Sequence, residues 1–182
     1  VVSGNDSGIA GEWEHGIYLW NSDNNLIQGN YLGTNAAGTA AIRNFADGIG
    51  MDGDAGGGYS NGNIIRNNLI SGNKEYGIWA GAGSGGQIIQ GNLIGTNFDG
   101  TTFIRNGIGA VSSPAPGAGI RLDSSGNTVG GTAAGEGNVI SGNAGVGIAL
   151  PDASSDNNLV QGNLIGTTAD GSSALANLGG GI

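Results

Sequence analysis

Residues 25–39 read NLIQGNYLGTNAAGT, and the phrase recurs as QIIQGNLIGTNFDGT at 87–101 and as NLVQGNLIGTTADGS at 158–172. A chain that writes one phrase three times is built from stacked copies of one supersecondary unit. Each copy can bury only a few aliphatic side chains, so its neighbours must complete the core. A shorter signal runs at closer spacing. Gly-Ile opens GIYL at Gly16, GIGM at Gly48, GIWA at Gly77, GIRL at Gly119 and GIAL at Gly147, and Gly181-Ile182 repeats it. The intervals are about 32, 29, 42, 28 and 34 residues, within the range of solenoid units. The units alternate in kind. Those from Gly16, Gly77 and Gly147 run into a G-T-N/T-x-x-G-T/S stretch, whereas those from Gly48 and Gly119 run into LISGN at 69–73 and VISGN at 139–143. VVSGN at 1–5 is the same short phrase. The full repeat is therefore a pair of units, about seventy residues long.

Within each phrase the apolar period is two. In GIYLW, Ile17 and Leu19 fall on one face and Tyr18 and Trp20 on the other, the pattern of a short strand with one buried face. Asn and Gly bound the strands, and both tolerate the left-handed backbone of sharp corners. No stretch carries a helical period. Short strands at a repeating interval, tight corners and no helical period predict an all-β parallel β-helix of about five to six coils in two alternating types, with no helical domain. The chirality of parallel crossovers makes it right-handed. The expected buried columns are Ile17, Ile49, Ile78, Ile120, Ile148 and Ile182, then Ile27, Ile65, Ile89, Val129 and Val160. A corner column of Asn30, Asn68, Asn92, Thr132 and Asn163 is expected to hydrogen-bond along the axis, amide to amide. Beyond it Leu32, Ile70, Ile94 and Ile165 turn inward again. The stretches 12–16, 52–60, 107–118 and 130–138 read as loops or insertions on the outside of the coil, where such folds keep what is specific to them.

Composition sets limits on partners. The net charge is −9 with five basic residues, which opposes binding to phosphate backbones and to anionic lipid surfaces. There is no cysteine, so neither disulfides nor thiolate metal sites are available. No run is long enough to span a bilayer. A single domain over 1–182 is expected, either a segment or a subunit of a longer solenoid.

The phrases NNLIQGNYLGTNAAGTAAIRN at 24–44 and NTVGGTAAGEGNVISGN at 127–143, with the recurring Gly-Ile starts, resemble the right-handed parallel β-helix repeat family of bacterial extracellular and surface proteins. The resemblance covers essentially the whole chain. It implies a fold, and an extracellular or cell-surface location, more than an activity. The same scaffold carries pectin-degrading enzymes, adhesins, autotransporter passengers and structural fibres.

Candidate chemistry is sparse. Asp52 and Asp123 share an outward column two coils apart, about 9–10 Å by strand spacing, near the upper limit for an inverting carboxylate pair. The dense Asp, His and Arg clusters of pectin-degrading β-helices are missing, so no catalytic residue is assigned and the chain is expected not to be an enzyme. Asp47, Asp52 and Asp54 in DGIGMDGDAGG form a candidate calcium loop, although the spacing is that of no known calcium motif and an ordinary acidic turn is the simpler reading. No cofactor or metal is otherwise expected. His15, near Glu12 and Glu14, reads as a solvated side chain in an inserted loop rather than a zinc ligand. Threonine columns at 34, 96 and 167 and at 39 and 101 are broken by alternate units, against ice binding. N-D-S at 5–7 is a lone glycosylation sequon. The outward aromatics carry more information. Tyr18 and Trp79 hold the same outward position, with Arg121 one coil beyond Trp79, Trp20 nearby and Trp13 in the preceding loop. Aromatics on an outer face suggest a covered surface: sugar rings, a neighbouring chain, or a loop of the protein itself. Tyr18, Trp20, Trp79 and Arg121 are thus candidate glycan or chain–chain contacts. Val1, Val2 and Ile182 are candidate end-stacking residues. The expected function is a structural extracellular solenoid that self-associates end to end, and the alternative is an adhesin-like or polysaccharide-degrading β-helix.

Overall fold

A computed structural model describes residues 1–7, 14–54, 56–109, 117–151 and 153–182. The chain winds in coils of three short strands each. The first coil holds β1 (Ile17–Trp20), β2 (Leu26–Gln28) and β3 (Tyr31–Leu32). The second holds β4 (Ile49–Asp52), β5 (Ile64–Arg66) and β6 (Leu69–Ile70), and the third β7 (Ile78–Ala80), β8 (Ile88–Gln90) and β9 (Leu93–Ile94). The fourth contains β10 (Ile120–Leu122), β11 (Thr128–Gly130) and β12 (Val139–Ile140), and the fifth β13 (Ile148–Ala149), β14 (Leu159–Gln161) and β15 (Leu164–Ile165). Equivalent strands pair in parallel, giving three five-stranded sheets in the order β1-β4-β7-β10-β13 and its two counterparts. There is no helix among the described residues. The fold is a parallel β-helix.

Register follows the columns read from the sequence. Ile17, Ile49, Ile78, Ile120 and Ile148 stack in one, and Ile27, Ile65, Ile89, Val129 and Val160 in the next. Val2 bridges Leu32 at the head of the third column, which continues through Ile70, Ile94, Ile140 and Ile165. These side chains fill the interior and are fully buried in the middle coils. Ile182 continues the first column's register, since Ile148 N–H donates to Gly181 O, but it lies on an open layer and is 67% exposed rather than buried. Corners between the second and third strands use left-handed backbone at Gly29 (φ 70), Asn67 (φ 55), Gly91 (φ 65) and Gly162 (φ 67), a conformation that side chains other than Asn rarely adopt.

The polar corner differs from expectation at one rung. Thr132 is not in it. Residues 131–137 loop outward, and Asn138 takes the place, because the rung uses both Nδ2 hydrogens, one to Asn163 Oδ1 and one to Ile89 O, and a hydroxyl has only one. The ladder is Asn30, Asn68, Asn92, Asn138 and Asn163. At each step the backbone N–H and the Nδ2 of one residue both donate to Oδ1 of the next, at 2.9–3.3 Å. Two further ladders stand at the other corners. One runs Asn25, Asn63, Gln87, Asn127, Asn158, and the other Asn5, Asn44, Asn73, Asn106, Asn143, Asn177. Gln87 is too long for a regular rung. Its Oε1 accepts the Asn63 backbone N–H, its Nε2 turns to the carbonyls of Ser60, Ser84 and Gly85, and Asn63 Nδ2 is left buried without a partner among the described residues.

The alternation of coil types has a geometric cause. The inserted stretches fold back on themselves through antiparallel bridges Thr34–Ala41, Thr96–Phe103 and Thr167–Ala174. Phe98 N–H donates to Gly38 O and Ala169 N–H to Gly100 O, so the three loops also stack. A folded-back loop is two chains thick, about 9.6 Å, which is the height of two coils at about 4.8 Å each. Only every second coil has room for one.

Two predictions follow from these contacts. Asn92→Ala removes Oδ1 from the buried backbone N–H of Asn68, whose Nδ2 keeps the carbonyls of Ile27 and Arg66, and is expected to cost about 1–3 kcal/mol in urea denaturation, the range for one orphaned buried donor. Asn30→Ala, on the outermost rung, is expected to cost less than about 1.5 kcal/mol. At the tip of the third loop, the Thr168 hydroxyl and then the Ser172 N–H and hydroxyl hold the Asp170 carboxyl down from 3.8 to about 2. Because the folded value is depressed, Asp170 stabilises the fold above the unfolded value and loses that contribution as pH falls through about 2. A carboxyl titration by NMR is expected to place Asp170 near that value, and Thr168→Val to raise it.

Candidate functional site

The outer surface of the first sheet carries the aromatics. In register, Tyr18, Gly50, Trp79, Arg121 and Ala149 form one outward row, and Trp20 lies beside Asp52 in the other. The second row continues through Gly81 and Asp123, whose N–H groups donate to Met51 O and Ala80 O. The period-two pattern of β1 therefore does what it predicts: Ile17 and Leu19 face inward while Tyr18 and Trp20 are 40% and 47% exposed.

Two glycines make room for the rings. A Cβ at Gly50 would stand 2.9 Å from the His15 ring and 3.1 Å from Tyr18, and one at Gly81 would stand 2.8 Å from Asp52 Oδ1 and 3.1 Å from Trp79. With no side chain at Gly50 the Tyr18 and His15 rings can lie over the second coil, and with none at Gly81 the Asp52 carboxyl and the Trp79 ring can lie over the third.

His15 is not the solvated side chain expected. It is 7% exposed and stacks on Tyr18, ring centroids 4.6 Å apart at 15°. The reason is the gap above Gly50, which an imidazole fills, and a partner beneath it. His15 Nδ1 lies 3.3 Å from Asp47 Oδ2 and 3.4 Å from the Asp47 backbone nitrogen. One nitrogen cannot donate to the first and accept from the second, and the carboxylate contact is the closer and charge-assisted one. Asp47 is 2% exposed and also accepts from Tyr76 N–H. Burial pushes its carboxyl above the usual carboxylate range, against His15 and the Tyr76 N–H, which pull it down. The Tyr18 hydroxyl is also pushed up, first by burial and then by the negative charges of Asp52 and Asp47.

Asp123 organises the far side. Both its oxygens accept from Arg121 Nε at 2.9 Å, and Oδ2 accepts from Trp79 Nε1 at 2.9 Å, while an Arg121 terminal N–H donates to Tyr76 Oη at 3.0 Å. This fixes the indole edge. Arg121 is thus half-buried and committed within the protein. Tyr18, Trp20, Trp79 and Asp52 together line a cleft of about 410 Å³.

The other expected positions scatter. Asp47 is buried, Asp52 lines the cleft with Oδ1 accepting from Gly53 N–H, and Asp54 lies on the surface binding Asn21, Gly56 and Gly58. Among the described residues no three acidic or histidine side chains are grouped to hold a metal ion. Asp52 and Asp123 share their row with Gly81 between them, and Asp123 is engaged by Arg121 and Trp79. Val1 is 66% exposed and Val2 packs against the core beside Leu32. Glu12, Trp13 and residues 110–116 of the 107–118 insertion lie outside the described residues.

A family model for the right-handed β-helix region matches residues 2–180. No curated protein and no solved structure matches the chain.

Asp123→Ala is expected to cost about 1–3 kcal/mol in urea denaturation, the range for a charge-assisted hydrogen-bonded group, and to alter the near-ultraviolet dichroism of Trp79 while leaving the far-ultraviolet spectrum unchanged.

Proposed function

Because the chain belongs to the right-handed β-helix family, we propose that it is a structural solenoid of an extracellular or cell-surface assembly, lengthened by coil-on-coil stacking between copies. The directional ladders carry this reading. At every described rung where the backbone N–H donates to the next side chain, the donor belongs to the earlier coil and the accepting amide oxygen to the later one. Asn30 and Asn25 therefore turn acceptors toward one end of the stack, and Asn158, Asn163 and Asn177 turn backbone donors toward the other. The two faces are complementary and not self-complementary. Stacking between copies is head to tail, and a head-to-tail contact that does not close produces a filament. Val1 and Val2 at one end and Ile182 at the other supply the apolar part of such a contact. The net charge of −9 opposes nucleic acid as a partner, and among the described residues no helix is long and apolar enough to cross a membrane.

The second reading, carbohydrate binding or cleavage, attaches to the outward face of the first sheet. It is favoured by the exposed rings of Tyr18 and Trp20, and a glycan array with a panel of polysaccharide substrates tests it. Neither binding nor cleavage would remove it.

For the first reading, electron microscopy and light scattering of the 182-residue chain are expected to show concentration-dependent filaments. Val2→Asp and Ile182→Asp, which place a charge in the apolar end layers, are expected to leave monomers. A wild-type chain that stays monomeric at high concentration would contradict end-to-end assembly.

A further inference from the structure

The cleft on the first sheet has an unusual set of walls. Its lining residues are three aromatics and one acid: Tyr18, Trp20, Trp79 and Asp52. The Tyr18 and Trp20 centroids are 5.9 Å apart with the rings inclined at 50°, so the two rings form a corner rather than a flat platform. A sugar ring stacks best on a flat platform. A corner of π faces instead surrounds a compact, rounded group.

Charge narrows the choice. Asp52 is an acid beside three rings, and among the described residues no basic side chain pairs with it. The five basic residues are all placed elsewhere. Arg43 donates to Gly72 O, Arg66 to Gln28, Arg105 to Gly142 O and Arg121 to Asp123, while Lys74 pairs with Asp6. His15 pairs with Asp47. Aromatic faces present negative potential, and a cation over them is held electrostatically without needing a fixed hydrogen-bond direction. Anionic ligands such as uronates meet repulsion from Asp52, on a chain whose net charge is already −9. The walls are also held in place before any ligand arrives. Trp79 is tied through Nε1 to Asp123, Tyr18 rests on His15, and Gly50 and Gly81 leave the gaps that let these rings lie where they do. Pre-ordered walls lower the ordering cost of binding.

We propose that this cleft binds an alkylated ammonium group, with the rings of Tyr18, Trp20 and Trp79 around the cation and Asp52 as its counter-charge. The inference is independent of end-to-end assembly, because it concerns a lateral face.

The test is a tryptophan-fluorescence titration of the full chain with choline, in parallel with 3,3-dimethylbutan-1-ol, which replaces the cationic nitrogen by carbon. Choline is expected to give a saturable change, with the neutral isostere weaker by about tenfold or more. Asp52→Asn is expected to weaken choline severalfold and leave the isostere unchanged, and Trp20→Ala, at an exposed position, to remove the saturable response. Cosedimentation with phosphatidylcholine but not phosphatidylglycerol vesicles would support a lipid head group as the source of the ammonium, and choline saturation without cosedimentation a free amine. Equal binding of choline and its isostere, no saturation by choline up to about 100 mM, or saturation by neutral oligosaccharides in place of choline would overturn the proposal.

Discussion

The hydrogen bond from a corner asparagine to the next corner asparagine is the contact on which the rest of this structure depends. Each coil contains few apolar side chains and many backbone amides, and its corners are too tight to be shielded by bulky residues. An asparagine at the corner solves both problems, because its Oδ1 satisfies the backbone N–H and the Nδ2 of the coil before it, while its own Nδ2 reaches carbonyls of that coil. Three such ladders, one at each corner, fix the rise, the register and the direction of the stack. The aliphatic columns then fall into line. With only short strands in each coil, burial of isoleucines alone would not distinguish one register from a slip of two residues.

Much of this was legible in the sequence, for physical reasons. Strand positions came from a strict period of two and from the recurrence of the Gly-Ile starts. The first ladder could be seen because its asparagines end each copy of the NLIQGN phrase. Thr132 was misplaced because NTVGGT matches that phrase in length; the stretch 130–138 reads as an outward insertion, but nothing local marks its last residue, Asn138, as the one that returns to the rung. The third ladder has a sequence signal of its own. Asn44, Asn73, Asn143 and Asn177 each precede a Gly-Ile start by four residues, and the longer stretches after Asn5 and Asn106 break the spacing. The alternation of long and short coils was visible as a pattern, but its cause, a folded-back loop as tall as two coils, requires the third dimension.

The lateral face was legible only in part. The outward stacking of Tyr18, Trp79 and Arg121 follows from register. The burial of His15 against Asp47 does not, because the two are 32 residues apart and meet only through the glycine at 50. The link from Trp79 to Asp123 spans 44 residues and depends on the same stacking. These contacts turn a row of exposed side chains into a shaped cleft with fixed walls. The ladders and the cleft are thus two levels of one design: the repeated positions build a rod, and positions that differ from coil to coil, above all Gly50, Gly81 and the aromatics, write a surface on it.

The most direct test of the ladders' role is amide hydrogen exchange, residue by residue. If the corners hold the stack together, the backbone N–H groups of Asn63, Asn68, Asn73, Asn92, Asn127 and Asn138 belong to the slowest-exchanging class, opening only with global unfolding. If these corner amides instead exchange as fast as those of the outer loops at 35–40 and 97–102 while the strand amides stay protected, the strands alone hold the coil together and the account is wrong.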